Sequence, residues 1–134
     1  MQQLDSPSGA PPASPSRSPL QGIADAAARH YKEQFGRGPV RCKAHFAGRD
    51  AVLVILEGTM TPAETRLVED GHAETVRSFR TLEQHAVQAA LVAAVGALAG
   101  RPVRQGITGI DVQGDVVTEL FVLESEDDAL TPAG

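Results

Sequence analysis

A chain of 134 residues is long enough for one ordinary domain and too short for two. Its 42% apolar and 22% charged residues fit a globular protein, but aromatics make up only 4% with no Trp, so the core has to be aliphatic. The formal charge of −5 falls to −2 over residues 20–124, with 13 acids against 11 bases, and this near balance excludes the basic surplus expected of a nucleic-acid binder.

Residues 1–19 carry Pro7, Pro11, Pro12, Pro15 and Pro19 among Ser, Gly and Ala, with Leu4 nearly the only large apolar side chain. Such a stretch buries too little surface to offset the entropy of ordering it, and it reads as a flexible tail or, alternatively, a Pro-rich docking arm. It lacks the charged and apolar regions of a signal peptide. From Leu20, the positions Ile23, Ala24, Ala27, Tyr31 and Phe35 recur at threes and fours and predict a helix, stopped by Gly36, Gly38 and Pro39. Val40, Cys42, Ala44 and Phe46 then alternate with Arg41, Lys43 and His45, the period of a half-wet strand. After a turn at 47–50, the run Ala51–Leu56 is continuously apolar, as in a central strand buried on both sides, and the two strands form a hairpin.

Thr61-Pro62-Ala63-Glu64 is a capping box with Pro at the first helical position, so a helix starts there and is briefly broken at Asp70-Gly71. Beyond the break, Val76, Phe79, Leu82, Ala86, Ala90, Ala93 and Ala97 form the expected core stripe, flanked by Val87, Leu91, Val95 and Leu98, up to a stop at Gly100 and Pro102. The most apolar part, residues 86–99, is interrupted by Gln88 and falls short of the roughly 20 residues of a membrane span, so it reads as a buried helix without membrane insertion. Residues 103–112 and 116–123 predict a second hairpin around Gln113-Gly114-Asp115, with Gly106 and Gly109 hinting at a bulge. The acidic stretch 125–134 reads as a second tail. The order α-β-β-α-β-β gives an α+β fold, a four-stranded, mainly antiparallel sheet with two helices on one face.

Few residues suggest chemistry. His30, His45, His72 and His85 are scattered with no metal-ligand spacing, and neither a metal nor a cofactor is expected. Cys42 sits on the apolar face of its strand as a small hydrophobe, and as the single cysteine it fits a reducing cytoplasm. Gly36-Arg37-Gly38-Pro39 follows a helix, whereas a phosphate loop precedes one, so its glycines read as a helix stop. Arg37, Arg41 and Arg104, with Lys43 and Arg101, could gather at one end of the sheet and bind a small anion or nucleotide. Arg77 and Arg80 read as solvated charges near Glu74 and Glu83. The neighbouring carboxylates Glu69 and Asp70 do not converge on a point, and no acid/base pair is evident.

Tyr31-x-x-x-Phe35-Gly36-Arg37-Gly38-Pro39, followed by Leu56-Glu57-Gly58-Thr59-Met60-Thr61-Pro62-Ala63-Glu64-x-x-Leu67, resembles the MpsC family, over residues 20–124. The departure is Met60, where the family pattern leads one to expect Leu. The resemblance implies a small non-enzymatic accessory or regulatory component of a cation-translocating, membrane-potential-generating or bicarbonate-handling membrane system, and it carries over no catalytic residue. A homodimer is also expected. Neither sheet edge carries blocking prolines, and the strand 116–123 is more apolar than one buried face requires.

Overall fold

A computed structural model describes residues 18–125, so the expected tails lie outside the described residues except for their innermost positions. The elements in chain order are α1 (Pro19–Phe35), β1 (Arg41–Phe46), β2 (Ala51–Glu57), α2 (Pro62–Glu69), α3 (Ala73–Ala99), β3 (Val103–Asp111) and β4 (Val116–Leu123). Helix α1 begins one residue earlier than the apolar spacing indicates, because the Ser18 hydroxyl accepts from the Gln21 amide and Pro19 fits the first turn. Gly36 ends it in the left-handed region, donating its amide to the Lys32 carbonyl. The break at Asp70-Gly71 divides the middle helical region into α2 and α3, so three helices stand where two were expected.

The four strands form one antiparallel sheet in the order β1-β2-β4-β3, with the two hairpins side by side. A register shift lies between Val103 and Gln105, so the irregularity of β3 falls at Arg104 rather than at Gly106 or Gly109. Both α1 and α3 pack on one face. Val52, Val54 and Leu56 of β2 and Val117, Phe121 and Leu123 of β4 meet Ile23, Ala27 and Tyr31 of α1 and Val87, Leu91 and Val95 of α3 in one core. Cys42 joins its edge as expected, its thiol donating to the Ala24 carbonyl, and burial with the nearby Asp25 charge pushes that thiol up to about 11. Alternate residues of β2, among them Leu53 and Ile55, are only half-buried on the opposite face, so this strand is not buried on both sides.

Helix α3 is rotated relative to the expected stripe. Its inward line is Val76, Arg80, Gln84, Val87, Leu91 and Val95, while Phe79 and Leu82 stand 51% and 71% exposed. Among the described residues it is the one helix long and apolar enough to cross a bilayer by length and composition; it packs on α1 and β3, but only 22% of its apolar window is buried, so the expected buried helix is in fact largely exposed.

The second hairpin is tied back to the end of β2. Asp115, at a φ of +55°, accepts from the amides of Thr59 (2.9 Å) and Met60 (3.2 Å), and the Gly58 amide donates to its carbonyl. This path requires Gly58, which has φ of +71° and lies so close to Val40 that a Cβ would sit 2.6 Å from Val40 Cγ2. We expect Gly58→Ala to cost about 2–4 kcal/mol in urea denaturation, from left-handed strain plus the clash. A loss below about 0.5 kcal/mol would contradict the tight approach of the Val40 side chain to the Gly58 backbone.

Candidate functional site

Two polar residues on the inward line of α3 organise what is chemically distinctive in the molecule. Arg80 is 1% exposed, and a guanidinium so far from water must have its donors met. Its Nε donates to Glu64 Oε2 at 2.8 Å and its Nη2 to Glu64 Oε1 at 2.6 Å, a bidentate pair, while Nη2 also reaches the Thr59 carbonyl at 2.9 Å. The Phe35 ring covers the guanidinium, with Cζ 4.1 Å from the ring centroid. Glu64 is placed for this by its capping box: its amide donates to Thr61 Oγ1, and its Oε1 accepts from the Thr61 amide at 2.9 Å. Burial raises the proton affinity of Glu64, but the hydrogen bonds from Arg80 and Thr61 outweigh it and hold the carboxyl below its usual range.

One turn further along α3, Gln84 enters a second buried cluster. Its Nε2 donates to the Tyr31 hydroxyl, which donates to Glu119 Oε2 at 3.3 Å. From the other side, the Thr108 hydroxyl donates to Glu119 Oε1 at 2.6 Å and accepts from Gln88 Nε2 at 3.1 Å. Glu119 is 0% exposed, in the middle of β4 between Val117 and Phe121. Burial pushes its carboxyl up to about 7, against partly compensating hydrogen bonds from Thr108, Tyr31 and Gln88. Burial and the Glu119 charge push the Tyr31 hydroxyl strongly upward as well, so the phenol stays protonated. Gln84 Oε1 is buried with no hydrogen-bond partner.

Above this cluster, α3 and β3 enclose a cleft of about 390 Å³ lined in part by Arg77, Thr81, Gln84, His85, Gln88 and Thr108. Arg77 spans it to donate to the Ile110 carbonyl at 2.6 Å. The cleft offers polar contacts, and beneath it a carboxyl that exchanges its proton near neutrality. Among the described residues no three His, Cys, Asp or Glu side chains group as metal ligands.

The expected anion patch does not assemble. Arg41 starts edge strand β1, in one cross-sheet row with Glu57, Val116 and Asp111, and it pairs with Glu57 at 3.2 Å. Arg104 lies on the opposite edge strand and at the opposite end, beside the row of Val103 and Leu123. Strand spacing and rise put roughly 25 Å between these corners. Arg37 follows α1 in the loop before β1, and Lys43 lies within β1. Arg101 is tied to Asp50 at 2.7 Å and to the Glu124 carbonyl. The reading of Arg80 as a solvated charge near Glu74 and Glu83 is corrected by its burial against Glu64. A signal for the second cluster was present in the alternation of β4, since Glu119 shares the inward phase of Val117, Phe121 and Leu123.

The family model described as "Na+-translocating membrane potential-generating system (MpsC)" matches residues 19–125. That span covers most of the chain, which belongs to this family. No curated protein and no solved structure matches. The segments that carried the resemblance converge in space: Tyr31 and Phe35 from the first, Thr59, Thr61 and Glu64 from the second, all around Arg80 and Gln84 of α3.

Because the folded carboxyl of Glu119 is raised from 4.5 to about 7, the neutral form favours folding: its contribution is complete below about pH 4.5 and is lost as pH rises through about 7. The depressed Glu64 acts oppositely and below that window, losing its contribution as pH falls. We therefore expect stability to drop by on the order of 3 kcal/mol between pH 4.5 and 8 in the native chain, and Glu119→Gln to flatten that slope in urea titrations. An unchanged slope in the variant would mean that Glu119 is ionised throughout.

Proposed function

We propose that this member of the MpsC family is a non-enzymatic accessory or regulatory component of a cation-translocating, membrane-potential-generating system, working in the cytoplasm as a homodimer that docks on the membrane subunits. The observation that carries this reading is the outward side of α3. Phe79 and Leu82 lead an apolar line continued by the exposed Ala86, Ala93 and Ala97, on the side of the helix turned away from the core. A contiguous apolar patch costs solubility and is retained where a partner covers it. The same helix is held to the domain by Arg80 and Gln84 on its inward side, so it presents its outer side without leaving the fold.

A non-catalytic role is supported by where two carboxylates lie: Glu119 is fully buried and Glu64 is held by Arg80, so both are engaged inside the fold. Binding rather than bond-making is what such an arrangement serves.

The test is affinity purification from the native cell in mild detergent, followed by identification of the recovered membrane proteins. We expect subunits of an ion-translocating complex with the native chain, and loss of at least nine-tenths of them with Phe79→Asp/Leu82→Asp. Since both side chains are exposed, the melting temperature of the variant should change by only a few degrees. Recovery of no transporter subunit, or equal recovery by the variant, would overturn the reading.

A further inference from the structure

The second face of the sheet is covered by none of the described elements. Both α1 and α3 lie on the side of Val54 and Phe121, and α2 packs on α3, which leaves the alternate residues of all four strands facing outward. Leu53, Ile55, Leu120 and Val122 form the centre of that face, and Ile107 of β3 stands 56% exposed beside them. One edge of the face is basic, with Arg41, Lys43 and His45 of β1 alternating against the inward Cys42 and Ala44. The other edge, β3, presents Ile107, Gly109 and Asp111, alternating against Thr108 and Ile110.

We propose that this face packs on the same face of a second copy, about a two-fold axis running nearly along the strands, so that β1 of each protomer lies over β3 of the other. The inference rests on the self-association in the reading above and fixes its geometry. With strands kept nearly aligned, two closed arrangements bring identical sheet faces together. An axis across the strands lays β1 on β1 and sets two rows of Arg, Lys and His against each other, a like-charge contact. An axis along the strands exchanges the edges while keeping each cross-sheet row level. In the row Arg41-Glu57-Val116-Asp111, Arg41, which pairs with Glu57 of its own protomer, then lies over Asp111 of the other copy, whose Oδ1 also accepts from its own Gln113 and Gly114 amides, and the reverse. In the row His45-Leu53-Leu120-Ile107, Leu53 meets Leu120 and His45 meets Ile107. Between them Lys43 lies over Gly109 and Ile55 over Thr118.

The self-complementarity is thus an Arg41–Asp111 contact on either edge with Leu53 on Leu120 between, while Ile55 meets Thr118 and Glu57 meets Val116. Four strands at about 4.8 Å spacing and about seven residues in length give a face of roughly 19 by 23 Å, so a pair buries on the order of 1,000 Å² in total. That is the lower end for a specific contact, so the charge and shape match decides which copy of the face is accepted.

Sheets packed face to face lie about 10 Å apart, too far for a disulfide but within reach of a short bis-maleimide. In full-length chains carrying Cys42→Ala, we expect His45→Cys/Ile107→Cys to be linked into covalent dimers by a bis-maleimide of about 10 Å, and neither single variant to be linked. In light scattering the native chain should show twice its 14.1 kDa. His45 and Ile107 are both exposed, and far-UV circular dichroism checks that the variants fold. A mass of twice 14.1 kDa with linkage of His45→Cys alone, or with no linkage of the double variant, overturns this interface while leaving self-association standing. A mass of 14.1 kDa that persists at hundreds of micromolar overturns both, and assigns the face to a different protein.

Discussion

A guanidinium removed from water needs acceptors for its donors, and the elements around Arg80 are arranged to supply them. Glu64 comes from the first turn of α2, Thr59 from the end of β2, and Phe35 from the last turn of α1. Arg80 itself belongs to α3, so this one side chain ties three helices to a strand end. A buried ion pair adds little net stability over apolar side chains of similar volume, but removing one partner strands a charge and costs several kcal/mol. Its value is therefore in specificity. Helix α3 carries apolar residues on nearly every side, and aliphatic packing alone would accept Phe79 and Leu82 inward about as readily as Val76 and Val87. Arg80 and Gln84 have partners in only one rotational setting, and that setting turns Phe79 and Leu82 outward.

The outward side of α3 and the bare face of the sheet follow from the same choice. With α3 fixed by its polar residues, two apolar surfaces remain uncovered, one on a helix and one on the sheet, and they point in different directions. Such a domain can join a copy of itself through one and another protein through the other. The segments Tyr31 to Pro39 and Leu56 to Leu67 build the surroundings of Arg80 and Gln84 through Tyr31, Phe35, Thr59 and Glu64.

Much of this architecture was legible in the sequence. The two hairpins, the capping box at Thr61 and the stops at Gly36 and Gly100 follow from local backbone chemistry, which tertiary context seldom overrides. The rotation of α3 was not legible, because Ala, Val and Leu at almost every position from Ala86 to Ala99 leave a 3.6-residue period without contrast, and the deciding residues, Arg80 and Gln84, were polar ones that hydrophobic spacing discounts. The partner of Arg80 was visible as a capping glutamate, but a capping box gives no sign that its carboxylate has a second use. The scatter of Arg37, Arg41 and Arg104 depended on which strands form the edges. Hairpin order leaves that open, and the β1-β2-β4-β3 arrangement put Arg41 and Arg104 at opposite corners.

The claim that Arg80 and Glu64 act as one unit in fixing α3 is tested most directly by a double-mutant cycle on Arg80→Met and Glu64→Gln, with unfolding free energies from urea titration. Gln at position 64 keeps the capping box, so the cycle isolates the ion pair from the helix start. The account predicts a coupling of at least about 2 kcal/mol, with Arg80→Met alone costing about 3–5 kcal/mol. Costs that add to within about 0.5 kcal/mol would show that the two side chains are independent, and that something other than this pair sets the orientation of α3.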